Sequence, residues 1–152
     1  MLFLFVSEEA SGICRPPYAS SKVHQLQGSS GTFFTPDYPI PYPGDATCLW
    51  IITVPSRKRV ELKFEGFDLG ILFSNCKQPT NAKVYLQIRD GQDQDSKELV
   101  PRCGYYAFSA PPDVYSTGRY MWVKFYSNSQ DSLQLAKGFK AHFKAVDLRK
   151  YY

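Results

Sequence analysis

The chain is short of the residues that most catalysis and membrane anchoring need. Histidine occurs only at His24 and His142. Nucleophilic catalysis by serine or cysteine normally calls on an imidazole base. Both histidines read as surface residues, His24 in a polar N-terminal stretch and His142 on the outward phase of an alternating run. No G-x-S-x-G, H-E-x-x-H, phosphate-loop or G-x-G-x-x-G pattern occurs. No enzyme activity and no cofactor are therefore expected. No apolar run approaches the ~20 residues of a membrane-crossing helix, so no membrane span is expected. There is no C-x-x-C pair, which argues against a zinc ribbon or a thioredoxin-type site, and no Asn-x-Ser/Thr sequon. The charge excess is small, 18 Lys and Arg against 14 Asp and Glu for a net of +4. That is well below what a dedicated nucleic-acid binder carries.

What is present points to sheet. The 152 residues suit one domain, and the chain carries 11 Tyr, 11 Phe, 11 Pro and 10 Gly. Aromatic residues fit pleated sheets, while Gly and Pro punctuate turns. Period-2 alternation is clear in five places: Cys48-Trp50-Ile52-Val54, Val60-Leu62-Phe64, Val84-Leu86-Ile88, Met121-Val123-Phe125 and Phe139-Ala141-Phe143. Thr32–Thr35 reads as a further short strand. Glu61, Lys63 and Glu65 then fall on a solvated face. The apolar phases supply the expected core, and the recurrence of strands with turns between them implies an all-β sandwich or barrel. Pro36–Gly44 cannot be helical, because its prolines fix φ and delete amide donors; it reads as a rigid loop displaying Tyr38 and Tyr42. Residues 1–13 read as a tail, whose apolar start Met1–Val6 is either the remnant of a secretion signal or a loose terminus. Residues 147–152 read as a linker stub.

Cys14, Cys48, Cys76 and Cys103 are an even set at wide spacing, as in proteins of oxidising compartments. Spacing alone leaves three pairings open. Each of two sequential bridges would add on the order of 3 kcal/mol in the chain-entropy description. Asp90–Asp95 does not fit the calcium-loop frame and reads as a solvated hairpin loop. The triplet Arg57-Lys58-Arg59 reads as a charged hairpin tip that could also take an anionic glycan.

Taken in order, several motifs resemble the CUB domain family. They are Gly31-x-Phe33, Thr35-Pro-Asp-Tyr-Pro39, Tyr42-Pro43, Cys48-x-Trp50, Phe64-x-x-Phe67-Asp68-Leu69, Cys76, Ile88-Arg89-Asp90-Gly91, Cys103-Gly104, Phe125-x-Ser127 and Gly138-Phe139. The resemblance runs from about Cys14 to Phe143 and places a domain at 14–146. It implies a two-sheet antiparallel sandwich, a CUB-like jelly roll, with disulfides Cys14–Cys48 and Cys76–Cys103. It also implies extracellular residence, either secreted or in an ectodomain. The function it implies is a non-catalytic module binding an extracellular protein ligand or co-receptor, within a receptor or a secreted multidomain protein. A stand-alone glycan or protein binder of the spermadhesin type, and the accessory domain of an extracellular protease, are the alternatives. Lys77–Lys83 is an insertion relative to the family. The candidate ligand surface is accordingly Tyr38, Tyr42, Lys77, Gln78, Asn81, Lys83, Arg57, Lys58 and Arg59.

Many members of that family hold calcium through acidic side chains on end loops beside a tyrosine. Matched by position, Tyr42 keeps the tyrosine, while the acidic positions are Gly70, Val84 and Asn128. Calcium takes six to eight oxygens and weakens as carboxylates are lost. No metal is therefore expected, with Asp68 and Asp90 the nearest substitutes.

Overall fold

The computed structural model describes residues 23–36, 38–40, 45–69, 84–100, 110–128 and 137–148. Cys14, Tyr42, Gly70, Cys76, Lys77, Gln78, Asn81, Lys83 and Cys103 lie outside the described residues. So do the tail at 1–13 and the side chain of Asn128. The described residues form nine strands: β1 Val23–Gln27, β2 Ser30–Phe34, β3 Asp45–Thr53, β4 Lys58–Asp68, β5 Val84–Asp90, β6 Lys97–Val100, β7 Val114–Tyr115, β8 Tyr120–Asn128 and β9 Gly138–Asp147. They make a five-stranded sheet in the order β1-β3-β8-β5-β6 and a four-stranded sheet in the order β2-β9-β4-β7.

Pairing is antiparallel in every ladder but one: β1 runs parallel to β3, with His24 opposite Trp50 and Leu26 opposite Ile52. That strand lies in a stretch whose sequence reads only as polar. Of its residues only Leu26 is buried, so it carries almost no alternation.

The inner phases of both sheets form the core. Trp50, Ile52, Val60, Leu62, Ile88, Val123, Phe125 and Phe139 are fully buried, with Leu86 and Phe143 nearly so. Aromatic rings bridge the two layers. Phe139 of β9 meets Trp50 at 6.1 Å and Phe125 at 6.0 Å across the sandwich, and Phe33 at 6.3 Å and Phe64 at 5.3 Å within its own sheet. Such edge-on contacts add to the area buried. Phe64, expected in the core, is only partly buried. It sits at the register shift between Glu65 and Asp68, where Gly66 takes φ +61° and the strand bends away.

Glu61 departs from its expected solvated face. It faces outward, yet only 5 % of it is accessible, because Tyr115 of β7 donates to its Oε2 at 2.9 Å. Cys48 is buried on β3 and disulfide-bonded.

Candidate ligand-binding surfaces

The hairpin end of the sandwich is built by the β3–β4 turn. Lys58 N–H donates to Pro55 C=O at 3.2 Å and closes a tight turn in which Arg57 takes φ 66°. Arg57 alone stands at the tip, because β4 begins at Lys58. The basic triplet does not act as one patch. Lys58 pairs with Asp147 at 2.6 Å, and the Arg59 guanidinium lies 5.1 Å over the Tyr115 ring. Arg57 is exposed and makes no ion pair among the described residues. Beside it, Arg119 donates to Val54 C=O at 3.0 Å and covers the Tyr120 ring. A depression of about 620 Å³ opens between Ser56, Arg57, Lys58, Asp147 and Leu148. A smaller one of about 380 Å³ reaches Pro55 from Gly28 and Arg119.

The Asp90–Ser96 loop lies at the same end and has the character of an ordinary hairpin loop. Asp90 accepts from Thr117 N–H at 2.9 Å and from its hydroxyl at 2.8 Å. Asp93 accepts from Asp95 N–H and from the Ser96 hydroxyl. No cluster of metal-ligating side chains occurs among the described residues.

The proline-loop end is opposite. Tyr38 precedes a cis peptide bond to Pro39, and its hydroxyl lies over Gly66 where any side chain would strike it. Ile40 is 67 % exposed. Asp68 accepts from Lys137 N–H at 3.3 Å. Tyr38 and the Arg57–Arg59 triplet therefore sit at opposite ends of β4 and cannot share one footprint.

The outer face of the four-stranded sheet carries a depression of about 570 Å³ lined by Ser30, Thr32, Glu61, Lys63, His142 and Lys144, among others. His142 holds the outward position expected of it. Its Nε2 lies 2.6 Å from Glu65 Oε1 and its Nδ1 3.3 Å from Thr32 Oγ1. A carboxylate can only accept, so it is Nε2 that carries a proton towards Glu65. The His142 hydrogen bond, and then the nearby charge of Lys140, hold the Glu65 carboxyl below its ordinary pKa. The order hydroxyl, imidazole, carboxylate is that of a hydrolytic triad. In a pleated sheet, however, the amides lie in the plane of the strands, so among the described residues the strands bring none above Thr32 to stabilise an oxyanion. His24, the other histidine, is half-buried on β1 with its ring 6.4 Å from that of Trp50.

Across the sandwich, the outer face of the five-stranded sheet is aromatic and capped by cations. Tyr85 and Tyr126 stack at 4.9 Å, Lys124 Nζ sits over both rings, and Arg89 covers Trp122. This explains why Tyr85 and Trp122 are buried although they point outward. Their contribution is not visible in the period-2 pattern, which assigns them only a direction.

The sequence profile of the CUB domain family matches residues 21–143. The chain belongs to the CUB family. Among curated proteins it is 36 % identical over 116 residues to pig cubilin and 37 % identical over 119 residues to mouse tolloid-like protein 2. These alignments cover 76 % and 78 % of this chain but 3 % and 11 % of the relatives, so the CUB chain spans a small part of their length. Among solved structures, the CUB1-EGF-CUB2 region of rat MASP-1 superposes with a TM-score of 0.65 at 30 % identity, covering 83 % of this chain and 43 % of that one. The extracellular region of zebrafish Gpr126/Adgrg6 superposes at 0.61 and 27 % identity, over 84 % of this chain and 15 % of that one. A MASP-1 CUB2 domain bound to Ca²⁺ superposes at 0.61 and 25 % identity, over 82 % of this chain and 98 % of that one.

The described residues do not fit a calcium ion. Val84 is fully buried on the inner phase of β5, opposite Ser127, and its side chain has no oxygen. Of the two substitutes, Asp68 lies at the proline-loop end. Asp90 lies at the hairpin end and is held by Thr117. The eleven residues of β4 separate the two ends, so these carboxylates cannot share an ion.

Proposed function

We propose that this CUB domain, taken as residues 14–146 with β9 running one residue further to Asp147, is a non-catalytic extracellular module. It would bind an acidic protein ligand without calcium, as part of a receptor, co-receptor or secreted multidomain protein. The observation that carries the reading is Arg57, an exposed arginine with no ion pair among the described residues, held at φ 66° on a tight turn. A bulky residue in that region of backbone space is strained, and such strain collects at functional positions. Arg119 extends the cationic character on one side. Extracellular residence is supported by the superposition on an extracellular region and by the even, widely spaced cysteines, which we pair as Cys14–Cys48 and Cys76–Cys103. Tyr38 and Ile40, at the other end of β4, form a second and separate contact region; the insertion at 77–83, also offered as ligand surface, lies outside the described residues.

The test is affinity capture of extracellular proteins on the oxidised chain, repeated with Arg57→Glu and with a calcium chelator. The expected result is a ligand whose binding falls at least tenfold with Arg57→Glu, weakens with salt and ignores the chelator. Binding unchanged by Arg57→Glu, or abolished by the chelator, would overturn the proposal. A sulfated glycan is the second reading, favoured by the same arginine. Free heparin that binds in place of any protein would select it.

A further inference from the structure

Among the described residues, the four edge strands are not equally protected. β6 is charged, with Lys97 and Glu98, and β7 has only two residues, preceded by Asp113. Such short or charged edges resist pairing with other chains. The other two edges, β1 and β2, lie on one side of the sandwich, with Phe33 of β2 against Trp50 of β3, the neighbour of β1. Over residues 23–34 the sequence VHQLQGSSGTFF contains no Lys, Arg, Asp, Glu or Pro.

The free backbone groups of β2 can be identified. Thr35 N–H donates to Phe139 C=O and Ser29 C=O accepts from Ala145 N–H, so the odd-numbered residues turn towards β9. By strand alternation, Ser30, Thr32 and Phe34 turn their N–H and C=O groups to the open side. No described strand pairs there.

We propose that this side is a homodimer interface in which β2 pairs antiparallel with β2 of a second copy about a two-fold axis at Thr32. The strand Ser30-Gly-Thr-Phe-Phe34 is self-complementary in that register. Ser30 faces Phe34 of the other copy, Gly31 faces Phe33, and Thr32 faces Thr32. Small residues meet large ones, and a Thr–Thr pair, a favourable cross-strand combination, sits on the axis. The three outward residues of each copy would exchange their N–H and C=O bonds and join the two four-stranded sheets into one. An interface of this kind is isologous, as closed dimers require.

Charge does not oppose the pairing. Lys140, His142 and Lys144 lie on β9, one strand in from the edge, and Glu65 already pairs with His142. The two β9 strands would stand three strand spacings apart, roughly 14 Å, beyond the ~8 Å Debye length at physiological salt. β1, on the same side, adds no Lys, Arg, Asp or Glu.

The test is sedimentation velocity on the full oxidised chain over a concentration series, with amide hydrogen exchange at each concentration. Thr32→Pro removes an outward N–H without removing a backbone bond to β9, although it also removes the hydroxyl beside His142, and Ser30→Lys, which leaves that hydroxyl in place, puts a charge on an exposed edge position. The expected result is a reversible dimer whose dissociation constant rises at least tenfold in both variants. Exchange protection at Ser30, Thr32 and Phe34 should grow with concentration, while thermal unfolding of the Ser30→Lys monomer matches that of the parent. A chain that stays monomeric to about 1 mM, a dimer unaffected by Ser30→Lys, or concentration-dependent protection only elsewhere, would overturn the proposal.

Discussion

Replacing Arg57 by glycine separates two properties that the β3–β4 turn holds together. The turn is closed by Lys58 N–H on Pro55 C=O, and Arg57 within it has φ 66°. A residue with a Cβ in this left-handed region costs roughly 1–2 kcal/mol. Glycine relieves that cost, but its unfolded chain has more freedom to lose, which takes back about 0.5–1 kcal/mol. The difference leaves Arg57→Gly about 0.5–1 kcal/mol more stable than the parent, or some 1–4 °C in Tm for a domain of this size. Arg57→Ala is the control, because it removes the same charge but keeps the Cβ and therefore the strain. It should leave stability within about 0.5 kcal/mol of the parent. Both variants should lose affinity for the acidic ligand by at least tenfold, about 1.4 kcal/mol. Calorimetric unfolding and surface binding on the same preparations read both quantities. If Arg57→Gly is neutral or destabilising, the turn holds no strain. If Arg57→Ala stabilises as much as Arg57→Gly, repulsion from Lys58 and Arg59, not backbone geometry, is the cost being relieved.

Phe139→Ala should cost about 3–5 kcal/mol, since the ring is fully buried and touches aromatics from both sheets; a loss under about 1 kcal/mol in urea unfolding would show that the core does not close around it. The Glu65 carboxyl is held below its ordinary pKa by His142. Its ionised form therefore favours the folded state above the unfolded carboxylate range, and that support is lost as pH falls through the lowered folded value. Glu65→Gln should flatten this part of the acid limb in a urea-midpoint series from pH 7 to 2, and an unchanged limb would contradict the pairing.

The strands legible in the sequence are those buried on one face along their whole length. β3, β4, β5, β8 and β9 alternate because each lies over the core from end to end. β1, β6 and β7 left no pattern: β1 buries only Leu26, β6 buries only Val100, and β7 is two residues defined by its pairing to Glu61 and Leu62. Missing β7 is also why Glu61 reads as solvated, since Tyr115 is what covers it. At the candidate site the sequence shows a basic triplet but not how its charges are used. Asp147, which lies 89 residues from Lys58, and Tyr115 engage two of the three cations, and only pairing across the sheet brings them there. The positive φ of Arg57 has no signature in composition, because arginine is not a residue that favours it.

Calcium titration calorimetry on the oxidised chain tests most directly the claim that this CUB domain works without the metal. With Val84 in the core and Asp68 and Asp90 at opposite ends, no saturable heat is expected up to about 1 mM, the weak limit of extracellular calcium sites. Saturable binding tighter than that, accompanied by a calcium-dependent rise in Tm, would contradict the account.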